Sequence, residues 1–226
     1  MDFSTQFDST SSQTEIERKY LAPDAETLSA VKELLLDKFG AEDLGCRDQV
    51  DTYYDTADSL LHQRSVTMRI REFDGEYVAA IKMPHASGAS EGSMVRFERE
   101  LVLPDGDLRY CRGLFVRQLP ELEERFADLA VALLIKNSRN RLLVTCGETT
   151  LEVSLDTVSY HSGELSGGDY EVEIELKSGV SHTSNLGVFG RAIEEVFPQL
   201  KLTQQSKYER GMWSAAAMET EKQTGS

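Results

Sequence analysis

Apolar positions recur along this chain with two periods, and the switches between them mark the elements. In "PDAETLSAVKELLLDKFG", Leu28, Val31, Leu35 and Phe39 repeat at helical spacing, with Asp24 ahead as a cap and Gly40 behind as a stop. That stripe predicts one helix lying on a sheet. The segments around it alternate every second residue and read as strands: "TEIERKYL", "QVDTYYDT", "SVTMRIREF", "YVAAIKM" and "MVRFERELVL", with a turn at "DGE" and a Gly/Ser-rich loop over 86–93. A helical segment, "LPELEERFADLAVALL", is predicted with Leu122, Phe126 and Leu129 on one side. "RNRLLVTCGETTLEVSLDTVSY" then reads as a hairpin turning at "CGET". A strand "DYEVEIELKSG" leads into a helix around "NLGVFGRAIEEVF" that stops before Pro198, and "LTQQSKYERGM" fits strand or loop. Many strands and few helices in one domain predict an α+β fold, a closed or nearly closed antiparallel barrel with helices outside it.

Composition places the chain among ordinary soluble proteins. Its 226 residues are 40% hydrophobic, enough for a core, and 39 Asp plus Glu against 24 Lys plus Arg give a net charge of -15. Such a surface repels polyanions, so nucleic acid and anionic membranes are not expected as partners. A phosphorylated ligand would have to be held locally, by gathered bases or by a metal bridging carboxylates to phosphate. Cys46, Cys111 and Cys146 have no CxxC spacing and read as free thiols. No signal peptide or membrane-spanning run is present, and a cytoplasmic location is expected. Residues 1–13 and 213–226 read as loose tails around one domain, 14–212.

The chemistry lies in the strands' alternate positions. Glu15, Glu17 and Lys19 share one face of the opening strand, leaving Ile16, Arg18 and Tyr20 on the other. Arg69 alternates with Arg71, Arg96 with Glu98 and Glu100, Arg139 with Arg141, and Glu171 with Glu173 and Glu175. Exposed antiparallel faces also carry charge, but here the acidic pairs and the basic pairs sort onto different strands. If the sheet closes, one charged face per strand becomes an enclosed lumen. Two carboxylate strands make a hard-oxygen site for Mg²⁺ or Mn²⁺, and facing arginines and lysines hold phosphate, which predicts a ligand of several linked phosphates plus a divalent metal.

The "EIERK" stretch resembles the ExExK signature of the CYTH superfamily, the triphosphate tunnel metalloenzymes. The likeness continues in order through "YYDTADSLLHQRSVTMRIR", Lys82, "RFERE", "SRNR", "VSLD", "YEVEIELKSG" and "SKYERG". It implies an eight-stranded antiparallel β-tunnel with a charged lumen. By that likeness Glu15, Glu17, Glu171 and Glu173 are metal-side carboxylates, and Lys19, Arg69, Arg71, Lys82, Arg96, Arg139 and Lys207 bind phosphate, with Arg141 as the second member of its pair. Glu98 would ligate a metal or orient water, and Asp156 would orient a base or share the metal. Glu100, Glu175 and Arg210 fit either an outer position or the tunnel. The histidines have no ligand spacing, and "SGAS" and "SGG" read as hairpin turns rather than phosphate loops.

The expected activity is metal-dependent hydrolysis of inorganic triphosphate, the likeness being closest to bacterial inorganic triphosphatases. The alternatives are an adenylyl cyclase, a thiamine or nucleoside triphosphatase, and a polyphosphate- or nucleotide-binding module without turnover. The expected partner is a small triphosphate. The segment from Met212 to Ala217 either caps one end of the tunnel or forms a homodimer.

Overall fold

The computed structural model describes residues 10–85, 92–162, 165–178 and 183–214. Among the described residues nine strands form one antiparallel sheet: β1 (Thr10–Ala22), β2 (Glu42–Asp55), β3 (Thr67–Phe73), β4 (Glu76–Pro84), β5 (Met94–Leu103), β6 (Ala130–Cys146), β7 (Thr149–Ser162), β8 (Leu165–Ser178) and the short β9 (Lys201–Thr203). The order is β5-β4-β3-β2-β6-β7-β8-β1-β9, and β1 also pairs with β5, so eight strands close into a barrel. Closure is possible because β1 divides its length. From Thr10 to Glu17 it pairs with β5, and from Lys19 to Leu21 it pairs on that side with β9, while β8 runs along its other edge.

The helices pack outside. α1 (Ala25–Phe39) starts where the Asp24 carboxylate accepts the Thr27 N–H at 2.8 Å, and ends at Gly40, whose φ of 60° suits a residue without a side chain. Its Leu28, Val31 and Leu35 join α5 (Thr183–Val196) over the outer faces of β1, β6, β7 and β8. A second core on the outer faces of β3, β4 and β5 is covered by α2 (Leu60–Gln63), α3 (Arg112–Gln118) and α4 (Leu122–Arg125). A third cluster lies inside the barrel: Tyr53, Leu133, Ile135, Val158 and Tyr160 meet Tyr208 of α6 (207–214). Tyr208 stacks on Tyr53 with centroids 5.0 Å apart. A Cβ on Gly211 would come within 2.5 Å of Leu133 Cδ2 and 2.7 Å of Tyr160 Cδ1, so α6 lies directly against this plug. α6 thus covers the apolar end of the barrel interior, and the part of the expected Met212–Ala217 cap beyond residue 214 lies outside the described residues.

Several sequence expectations need correction. β1 begins at Thr10, inside the segment expected to be a tail, because residues 10–13 find backbone partners on β5. α4 ends at Arg125, and "AVALL" opens β6: a short apolar run looks alike in a buried helix and a strand, and here pairing with β2 decides. "SGG" is not a turn but the start of β8, with Gly168 paired to Ser159. "SKYERG" is neither strand nor loop but lies in α6, which runs to residue 214. "SGAS" lies outside the described residues.

Candidate active site in the tunnel

Alternation on eight strands aims the charged rows inward around a cavity of about 300 Å³. Glu15, Glu17 and Lys19 enter it from β1, at 6%, 1% and 3% exposure, so this is no solvated strand face. The residues between them point outward: Ile16 packs in the outer core, and Arg18 donates to Glu194 of α5 at 2.6 Å and to the Tyr20 hydroxyl. Lys19 Nζ bridges Glu17 and Glu173 at 3.0 Å each.

The bases meet carboxylates across the lumen. Lys82 Nζ lies 2.6 Å from Glu15 and 3.2 Å from Glu98, and Arg96 pairs with both Glu15 and Glu17. Arg69 approaches Glu98 at 3.6 Å and Glu100 at 3.9 Å. Arg139 donates to Asp156 through two nitrogens at 2.8 and 2.6 Å and also reaches Glu173. Lys207, at the start of α6, contacts Asp156 at 2.9 Å, Glu173 at 3.3 Å and Glu171. Arg141 lines the cavity without an ion pair among the described residues, its Nε buried and unpartnered.

Burial and charge set the protonation of this network. Burial pushes the Glu17 carboxyl up to about 8 against the pull of Lys19, with Glu15 adding to the rise. Burial also disfavours the ionised form of Glu15, but Lys82, Arg96 and Lys19 outweigh it and hold that carboxyl well below the usual range. Glu173 is likewise lowered, where Lys19, Lys207 and Arg139 overcome its burial. For Asp156 the overriding charges are Arg139 and Lys207.

The sequence matches the CYTH domain family over residues 13–212. The chain belongs to the CYTH domain family. CYTH members typically act on triphosphates. Solved structures share the fold: a candidate adenylate cyclase from Bacillus halodurans is 23% identical with a TM-score of 0.65, covering 88% of this chain and 97% of that one. A candidate adenylyl cyclase from Hippeastrum with a dominant triphosphatase activity is 18% identical, TM-score 0.60, over 87% and 94%. A protein from Pyrococcus horikoshii OT3 is 22% identical, TM-score 0.57, over 86% and 96%. No curated protein matches the chain.

CYTH tunnel enzymes are metal-dependent, and the donors here fit a hard cation. Oxygens of Glu15, Glu17 and Glu173 lie within 4.8 Å of one another, as do those of Asp156, Glu171 and Glu173. Glu17 Oε2 is buried without a hydrogen-bond partner and Glu15 Oε2 has only Arg96 Nη2 at 3.4 Å, so the first group has a free oxygen to offer. The second group is occupied by bases, since Glu171 is gripped by Lys207 and Arg210. The four expected metal-side carboxylates thus divide into two groups joined at Glu173, with Glu171 apart from Glu15 and Glu17.

Glu100 and Glu175 line the CYTH tunnel, whereas Arg210 holds Glu171 and Asp169 beside the plug. Sequence reading missed Asp51. It is 1% exposed and faces Arg69 and Arg71 from β2, and its only signal was a carboxylate on the same strand face as Gln49 and Tyr53. Asp169, which accepts from Tyr160 Oη at 2.6 Å and Arg210 Nε at 2.7 Å, was also missed.

Proposed function

We propose that this CYTH protein hydrolyses inorganic triphosphate to pyrophosphate and phosphate with Mg²⁺ or Mn²⁺. The observation that carries the reading is the tunnel cavity, in which bases from β3, β4, β5, β6 and α6 converge on carboxylates from β1 and β8. Arg69, Arg71, Lys82, Arg96, Arg139, Arg141 and Lys207 bind the phosphate oxygens, and Lys19 links them to the carboxylates. Glu15, Glu17 and Glu173 would hold the cation, which when bound screens phosphate charge and polarises the terminal phosphoryl group. Glu98, buried in the lumen with Lys82 3.2 Å and Arg69 3.6 Å from its Oε1, would orient the attacking water and take its proton. The water oxygen bonds to the terminal phosphorus as the bridging P–O bond breaks, and its electron pair leaves with pyrophosphate. Catalysis here is positioning and charge stabilisation.

A second reading rests on a second cavity of about 480 Å³ that shares Lys82 and Arg96 with the tunnel and adds Pro84, Met94 and Val95. An organic group on a triphosphate could sit there, which favours a nucleoside or thiamine triphosphate, including a cyclase reaction on ATP. Incubating the protein with tripolyphosphate, ATP or thiamine triphosphate, with Mg²⁺, with Mn²⁺ and with EDTA, decides between them. Phosphate release greatest from tripolyphosphate supports the first reading, and preferred turnover of an organic triphosphate or cyclic AMP formation supports the second. Binding without turnover of any of the three would overturn both in favour of a binding module.

A further inference from the structure

Every base the proposed reaction uses, Arg141 excepted, is already paired with a carboxylate. Two uncharged side chains beside them are not. Gln49 on β2 and Asn137 on β6 are cross-strand partners, 4% and 2% exposed. Gln49 lines the cavity, and Asn137 shares its strand face with Arg139 and Arg141, which line the cavity, and with Ile135 of the interior plug. Gln49 therefore meets the lumen directly and Asn137 lies beside it, next to the apolar plug, and both also line a recess shared with Phe73 and Ser138. Gln49 Nε2, Asn137 Nδ2 and Asn137 Oδ1 are all buried without a hydrogen-bond partner. In strand order β2 lies opposite β1, which carries Glu15 and Glu17. Unpaired buried amides are destabilising, and a strand interior has apolar residues to offer instead.

We infer that Gln49 and Asn137 form an uncharged subsite for phosphate oxygens on the tunnel wall opposite the metal-side carboxylates. The inference rests on the triphosphate reading above. An amide suits this place for a physical reason. A cation here would be drawn to a neighbouring carboxylate, as Arg71 is to Asp51 and Arg139 to Asp156, whereas a neutral N–H₂ stays open until phosphate arrives. Each N–H₂ donates to a phosphoryl oxygen, and Asn137 Oδ1 accepts from a protonated phosphate or a water beside it.

The test uses Gln49→Leu and Asn137→Leu, which keep approximate shape and remove the polar atoms. Tripolyphosphate affinity is measured by titration calorimetry in EDTA, KM for phosphate release with Mg²⁺, and the melting temperature of the ligand-free protein. A subsite for ligand predicts binding weakened about tenfold per lost hydrogen bond to a charged group, KM raised in step, and a melting temperature equal to or above wild type. Unchanged Kd and KM overturn the inference. So does weaker binding accompanied by a lower melting temperature, because the amides would then be holding the fold. Failure of the unmutated protein to bind or turn over tripolyphosphate would remove the parent reading itself, a result distinct from normal binding that ignores both substitutions.

Discussion

Asp51 accepts Arg71 Nε at 2.6 Å and Nη2 at 2.8 Å across the β2–β3 pair, and Arg69 Nη1 reaches the same carboxylate at 3.2 Å. One buried anion thus aims two guanidiniums along the lumen. Asp51→Ala leaves both without it, and loss of one partner from a buried pair costs about 3–5 kcal/mol. Urea unfolding of the variant should show a loss of that size, and a loss under about 1 kcal/mol would contradict the arrangement.

The same carboxylate sets an acid limit. Burial disfavours its charge, but Arg71 and Arg69 prevail and hold it below the ordinary aspartate value. Its contribution to stability is therefore fully present above the unfolded value of about 3.9 and is lost as pH falls through the folded value. Urea midpoints at pH 7, 4 and 3 should fall more steeply for wild type than for Asp51→Asn. Parallel pH profiles would show that Asp51 is not ionised in the folded protein.

Glu17→Gln removes one donor of the Glu15, Glu17, Glu173 group while keeping the side chain's size. Groups one layer outside a metal already cost about 10–100-fold when lost, and a direct ligand costs at least as much. Phosphate release against Mg²⁺ concentration should show lower turnover and a higher metal requirement together. Wild-type behaviour would remove Glu17 from the metal site.

Gly211→Ala should disturb α6, since the new Cβ meets Leu133 and the enclosed Tyr160 ring. Overpacking costs about 1–3 kcal/mol, against about 1 kcal/mol gained in helix propensity. The expected outcome is a lower melting temperature and a higher KM for tripolyphosphate, because Lys207 moves with the helix. A variant more stable than wild type would mean that the plug is looser than it looks.

Thiol labelling should separate the cysteines. Cys111 is fully buried, and burial pushes its thiol up to about 12, whereas Cys46 is exposed on β2. Mass spectrometry after alkylation at pH 8 should find Cys46 modified first and Cys111 only on unfolding.

Much of this site was legible in the sequence because strand alternation is strict: once Glu15 points inward, so do Glu17 and Lys19, and Arg18 cannot. α1 was legible because both ends carry their own stop signals, Asp24 and Gly40. What was not legible depended on partners far away in sequence. Asp51 looks like any strand aspartate until Arg71 is laid beside it. Glu171 looks like Glu173 until α6 delivers Lys207 and Arg210 to it. The α6 segment itself holds few apolar residues, and its helix is fixed by docking against Leu133 and Tyr160 rather than by its own periodicity.

The divided pairing of β1 also bears on how the chain can be shortened. Of the eight register pairs that join β1 to β5, four precede Thr14. A protein trimmed to start at Thr14, one residue before the ExExK stretch, would keep every charged lumen residue, yet lose half the seam that makes a ring out of a sheet. Two raw strand edges would then lie open beside Glu15 and Arg96, each an invitation to pair with another copy.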